Sequence, residues 1–228
     1  MKLASLETFT VGNPPPGFGG RYFIFVRLRT ACGLTGVGEI YSAAFGPVVV
    51  CAMARDVFDR YLADRSPSHI ERFWPRAHGS GFTHRPDIVM QAVISGLEMA
   101  CWDIVGKACD QPVYELLGGK VHERLRSYTY LYPTPDQDPG TFYNDAHASA
   151  EAAAACVEEG FTAVKFDPAG QYTVFDGRMP DLEAIELSAE FCRLIRQAVG
   201  TRADLLFGTH GQFTAAGAIR LAKQLEAF

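Results

Sequence analysis

From residue 126 onward the chain alternates short apolar strand patterns with amphipathic helical ones, and this rhythm limits the folds open to it. Strand patterns at 126–132, 163–167 and 203–209 are each followed by a helical one, at about 145–159, at about 181–198 and from near Thr214 onward. Gly160 and Gly200 stand where the first two helices should stop. Such alternation means parallel strands joined by crossover helices. A closed eight-fold barrel takes ~250 residues by itself, so about three βα units predict an incomplete (β/α) TIM-type barrel. Three parallel strands leave unpaired edges and an unfilled inner layer. The expectation is therefore the N-terminal portion of a longer protein.

The first half reads differently. Residues 3–10 alternate as a strand does, 12–20 (GNPPPGFGG) is too rich in Gly and Pro for regular structure, and 21–29 (RYFIFVRLR) is aromatic and β-branched. A turn and a third strand follow at 33–41 (GLTGVGEIY), and helical patterns occupy 46–64, 68–76 and 86–110. A three-stranded antiparallel sheet followed by helices is an α+β arrangement. The expected division is an α+β domain at 1–119 and a barrel portion at 120–228.

The segment 95–119 (SGLEMACWDIVGKACDQPVYELLGG) joins the two. Leu97, Ala100, Cys101, Ile104 and Ala108 recur at helical spacing as one apolar stripe, and Asp103 and Lys107 lie one turn apart on the solvated side. Pro112 suits the start of a second, short helix. Val113, Leu116 and Leu117 are expected to give that helix a buried face, and Gly118-Gly119 a left-handed stop. The order W-D-x-x-G-K…P-x-x-x-L-L-G-G resembles the end of the capping domain in the mandelate racemase and muconate-lactonizing branch of the enolase superfamily. The Thr35–Glu39 turn (TGVGE) and the βα repeats extend the resemblance along the whole chain. It implies an α+β capping domain followed by the catalytic barrel, and places the 12–20 loop where the family has a mobile lid.

Chemistry in parallel barrels sits on inward side chains at the C-terminal strand ends. In Ala163-Val-Lys-Phe-Asp, strand parity turns Val164 and Phe166 to the helices and Lys165 and Asp167 inward. In Asp204-Leu-Leu-Phe-Gly-Thr-His it turns Leu205 and Phe207 outward and Gly208 and His210 inward. An ammonium, a carboxylate and an imidazole then meet at one rim. Lys165 can neutralise a substrate carboxylate or accept a proton, His210 can act as general acid or base, and Asp167 can hold the imidazole. The loops 132–145 and 168–180 are long for βα connections; Tyr132 and Arg178 on them are candidate substrate-binding residues.

The resemblance refines these roles. Lys165 matches the first lysine of the second-strand K-x-K motif, while Asp167 stands in place of the second. His210 resembles the histidine that acid-sugar dehydratases use to expel the β-hydroxide. Gly208 occupies the expected position of the first Mg²⁺ carboxylate, and a glycine supplies no ligand side chain; the other metal carboxylates of the family belong to later strands. The resemblance thus implies Mg²⁺ for a full-length enzyme, and no specific binding by this chain. It implies proton abstraction α to a carboxylate, with sugar-acid dehydration by a Mg²⁺-dependent hydro-lyase as the leading reading. An inactive fragment or degenerate member is the alternative, and racemisation or cycloisomerisation comes third. A small carboxylate or sugar acid is the expected partner.

Composition supplies exclusions. The net charge of −5, without a compensating Lys/Arg cluster, argues against a nucleic-acid partner. An apolar fraction of 48% is enough for a core. The N-terminus lacks a signal-peptide apolar run and no stretch reads as a membrane span, so a cytoplasmic protein without a membrane partner is expected. The six cysteines lack CxxC spacing and are expected to be reduced core thiols. An exposed half-barrel predicts self-association into a homo-oligomer.

Overall fold

A computed structural model describes residues 1–228 except 16, 18, 42, 43, 80–86, 168–178 and 212. The chain divides into two compact units, Met1–Glu123 and Arg124–Phe228.

In the first unit, β1 (Leu3–Gly12), β2 (Tyr22–Thr30) and β3 (Thr35–Ile40) form an antiparallel meander in the order β1-β2-β3. Ile24, Val26 and Leu28 alternate along β2 and are buried, as period-2 patterning demands. Leu3 and Leu6 have opposite parity yet are both buried, because the β1–β2 register shifts between Leu3 and Ser5. Just beyond the paired strands the Asn13 N–H bonds the Arg21 carbonyl at 2.9 Å.

Helices α1 (Pro47–Tyr61), α2 (Ile70–His78) and α3 (Ile88–Cys109) follow. The α3 N-terminus is capped by Asp87, which accepts from the N–H groups of Val89 and Met90 at 2.9 and 3.2 Å. Its 22 residues are long and apolar enough, by length and composition, to cross a membrane, which corrects the expectation that no stretch would be. The composition has a core explanation: Val93, Ile94, Leu97, Ala100, Cys101 and Ile104 are all buried within the unit.

Glycines let α3 approach β3 backbone to backbone. A β-carbon on Gly36 would strike the Ala100 carbonyl and Ile104, one on Gly38 the Gly96 carbonyl, and one on Gly96 would strike Ile40. Asp103 and Lys107 do more than pair on a solvated face. Asp103 accepts from the Val37 N–H at 2.9 Å, and the Lys107 ammonium donates to the Thr35 carbonyl at 2.9 Å and to Asp103 at 2.7 Å. The last turn of α3 is thereby fastened to β3.

Helix α4 (Val113–Leu116) ends in positive-φ Gly118 and Gly119, with the Gly119 N–H bonded to the Tyr114 carbonyl at 2.9 Å. The expected burial of Val113, Leu116 and Leu117 is not found: the first two are half-buried and Leu117 is 65% exposed. A single turn has too little length to bury a face of its own.

The second unit contains β4 (Thr129–Tyr130), α5 (Pro139–Phe142), α6 (Ala146–Glu158), β5 (Ala163–Phe166), α7 (Leu182–Val199), β6 (Asp204–Phe207) and α8 (Ala215–Leu225). Its strands are parallel in the order β4-β5-β6. Asp145, Asp181 and Thr214 cap α6, α7 and α8, each accepting from a first-turn N–H. The core gathers Leu131, Phe142, Val164, Phe166, Phe191, Ile195 and Leu221. Strand β4 is shorter than the expected 126–132: only Thr129 and Tyr130 pair, with Val164 and Lys165 of β5. Arg126 lies outside the ladder and instead binds the Thr162 hydroxyl and, at 2.8 Å, the Asp204 carboxylate.

All six cysteines are free thiols, but the core expectation holds fully only for Cys101 and Cys192. Cys32 and Cys109 are exposed, because each lies where an element ends and the apolar pattern lapses.

Candidate active site

Strand parity sorts the end of β5. Val164 and Phe166 are buried in the core beneath the helices, which leaves Lys165 and Asp167 on the opposite face. In β6, Leu205 and Phe207 lie beside Val164 and Phe166 in register and share their face. Phe207 is 39% exposed, its ring edge-on to Phe166 at 5.4 Å. The ladder continues past β6, with the Gly208 N–H donating to the Phe166 carbonyl at 2.9 Å. A β-carbon built on Gly208 would run into the Asp167 carboxylate and come within 3.2 Å of the Lys165 Cε. Gly208 therefore faces the same side as Lys165 and Asp167.

His210 follows in the left-handed region, at φ 46°, a conformation in which histidine is enriched among non-glycine residues. Its Nε2 lies 3.5 Å from Asp167 Oδ1. The Asp167 side chain is only 11% exposed, while that of His210 is 45% exposed. A sheltered carboxylate thus faces a half-exposed imidazole.

A fourth group, passed over in the sequence, completes the set. Tyr130, opposite Lys165 in the β4–β5 register, donates its hydroxyl to Asp167 Oδ2 at 2.6 Å. Its signal in the sequence is alternation, since Tyr128, Tyr130 and Tyr132 share one parity. The Lys165 ammonium sits 5.9 Å above the Tyr128 ring, a cation–π contact. Tyr132, 41% exposed, has its ring 5.1 Å from that of Tyr130, and Tyr143 stands edge-on to Tyr130 at 6.5 Å. Burial pushes the Tyr143 hydroxyl above its ordinary pKa, and the nearby Tyr132 and Asp167 add to this. Lys165, Asp167, His210 and Tyr132 are therefore brought together; Arg178 lies outside the described residues.

The donors do not fit a divalent-cation site. Gly208 brings no ligand, Asp167 is a single carboxylate, and among the described residues no three His, Cys, Asp or Glu side chains gather to hold a metal. What the arrangement can do by itself is move or hold a proton at His210 and stabilise negative charge near Lys165.

A parallel sheet with a helix after each strand and polar groups at its C-terminal strand ends, in a chain whose first unit is α+β, is a βα arrangement of the kind that carries chemistry at its strand ends. Comparison with known proteins gives the family. Residues 18–118 match the N-terminal domain of mandelate racemase / muconate lactonizing enzyme, and residues 148–228 match the enolase C-terminal domain-like family. The chain belongs to the mandelate racemase and muconate-lactonizing branch of the enolase superfamily. It is similar to D-xylonate dehydratase of Haloferax volcanii (31% identity, 99% of this chain, 57% of that protein). It is similar also to D-galactonate dehydratase of Ralstonia pickettii (31% identity, 100% and 53%). Among solved structures, a mandelate racemase/muconate lactonizing enzyme from Jannaschia sp. CCS1 superposes with a TM-score of 0.95 at 57% identity, over 100% of this chain and 59% of that one. The chain thus spans just over half the length of these relatives.

Proposed function

We propose that the protein acts in sugar-acid dehydration, abstracting the proton α to a carboxylate and eliminating the β-hydroxyl as water. The observation that carries this reading is His210 at the strand-end rim, half-exposed and 3.5 Å from the sheltered Asp167 carboxylate. The names of the relatives, D-xylonate and D-galactonate dehydratase, point the same way.

In this reading the α proton passes to the Lys165 amine, which becomes an ammonium, and the electron pair of the broken C–H bond forms the Cα=Cβ bond as the β C–O bond breaks. The departing hydroxide takes the His210 proton to leave as water, and the resulting enol tautomerises to the 2-keto acid. Asp167 stabilises the imidazolium before transfer and holds the ring toward the substrate. The ammonium forming on Lys165, which rests on the Tyr128 ring, offsets the charge of the substrate carboxylate as its α-carbon gains electron density. Tyr132 borders the sugar chain, and Arg178 is a further candidate to bind the carboxylate. Mg²⁺ enters only by family: it would polarise the substrate carboxylate, but the donors on this chain do not supply its ligand set.

The test is turnover of an acid-sugar panel by the purified protein, read as 2-keto-3-deoxy acid. His210→Asn should abolish product. Product formation unchanged by that substitution, or epimer in place of keto acid, would overturn the assignment. Gly208 favours a second reading, a catalytically degenerate member, for which no member of the panel would be turned over.

A further inference from the structure

The two oxygens of Asp167 serve different neighbours: Oδ2 accepts from the Tyr130 hydroxyl at 2.6 Å, and Oδ1 faces His210 Nε2 at 3.5 Å. A carboxylate turns easily about its last side-chain torsion, whose energy wells are broad. Something must choose which oxygen meets the imidazole.

We propose that Tyr130 is a positioning residue that acts on His210 through Asp167, and that glycine at 208 leaves the volume into which this carboxylate turns. The phenol is a short, strong donor to an acidic acceptor, so it pins Oδ2 and commits Oδ1 to the other side. Tyr130 is itself held, by the Tyr132 ring at 5.1 Å and the Tyr143 ring at 6.5 Å. On the other side Gly208 supplies the room, since any β-carbon there would collide with the carboxylate. The left-handed backbone of His210, two residues on, returns its ring toward the strand ends. No bond is made or broken by Tyr130. It keeps its proton, and Oδ1 is left facing His210 Nε2 at 3.5 Å. The catalytic consequence rests on the dehydratase reading, whereas the geometric claim does not.

The experiment is ¹H–¹⁵N correlation of the imidazole nitrogens of His210 at one near-neutral pH, in protein labelled at histidine. Asp167→Asn defines the spectrum of His210 without its carboxylate. Tyr130→Phe, which keeps the ring and removes only the hydroxyl, should move the His210 nitrogens most of the way to that spectrum, with circular dichroism unchanged. Gly208→Ala should move them in the same direction. A Tyr130→Phe spectrum identical to that of the unsubstituted protein, while Asp167→Asn shifts, would remove Tyr130 from the arrangement. An Asp167→Asn spectrum without change would remove the whole arrangement. In the kinetic arm, Tyr130→Phe should lower kcat on the order of 10- to 100-fold with KM little changed, the cost of a misplaced acid. If the unsubstituted protein turns over no acid sugar, the dehydratase reading fails and the nitrogen spectra still decide the role of Tyr130.

Discussion

The Asp167 carboxylate lies in the space that a side chain on Gly208 would need, so the ends of β5 and β6 together hold one acidic group. Gly208→Ala should therefore cost about 1–2 kcal/mol, because the carboxylate can move aside only by disturbing its hydrogen bond from Tyr130. In an Asp167→Ala background the same substitution should cost less than about 1 kcal/mol, because the obstruction has gone. Chemical denaturation of the four proteins of this cycle measures the coupling. Additive costs would show that the two positions do not compete for space.

A second prediction concerns β3 and α3, whose backbones touch at Gly38 and Gly96. A β-carbon on Gly38 would meet the Gly96 carbonyl, which cannot swing aside as a side-chain tip can, and one on Gly96 would meet the Ile40 side chain and, at 2.9 Å, the Glu39 carbonyl. Gly38→Ala and Gly96→Ala should each destabilise the first unit by about 1–3 kcal/mol or more, whereas Gly12→Ala, with nothing near its β-carbon, should lie within about 1 kcal/mol of the parent. Urea midpoints distinguish these outcomes.

The third uses the asymmetry of the α3 clamp. Asp103→Ala leaves the Val37 N–H without its acceptor and should cost about 1–2 kcal/mol. Lys107→Met removes an exposed ammonium and should cost less than about 1 kcal/mol. Equal losses would mean that the ion pair, rather than the strand contact, carries the stability.

Thiol chemistry supplies the fourth. The Thr30 hydroxyl, followed by the Leu34 backbone, lowers the pKa of the exposed Cys32 thiol, while burial pushes Cys101 and Cys192 up to about 12. The reactive species is the thiolate, and a lowered pKa makes it appear at lower pH. Iodoacetamide labelling of native protein, followed by mass spectrometry from pH 7 to 9, should modify Cys32 early and leave Cys101 and Cys192 unmodified throughout. Thr30→Val should delay Cys32 labelling to higher pH.

Much of this molecule could be read from its residues because periodicity is a local property. The stripe through Leu97, Ala100, Cys101 and Ile104 names a core helix wherever it packs, and parity alone sends Lys165, Asp167 and Gly208 to one face. What could not be read depends on neighbours. Leu117 looks buried by composition, but one turn of helix gives it nothing to lie against. Tyr130 looks like any strand tyrosine until the β4–β5 register sets it across from Lys165, within reach of Asp167. Gly208 reads as a missing ligand, yet in the fold the volume beside it is already filled by Asp167.

Each unit has its own core, and this affects how unfolding can be watched. Both tryptophans, Trp74 and Trp102, belong to the first unit, whereas Tyr128, Tyr130, Tyr132 and Tyr143 belong to the second. Emission excited at a wavelength that only indole absorbs thus reports the first unit and is silent about the second. A melting curve recorded that way describes half of the chain, and loss of the proposed site would pass unseen unless tyrosine signals were followed beside it.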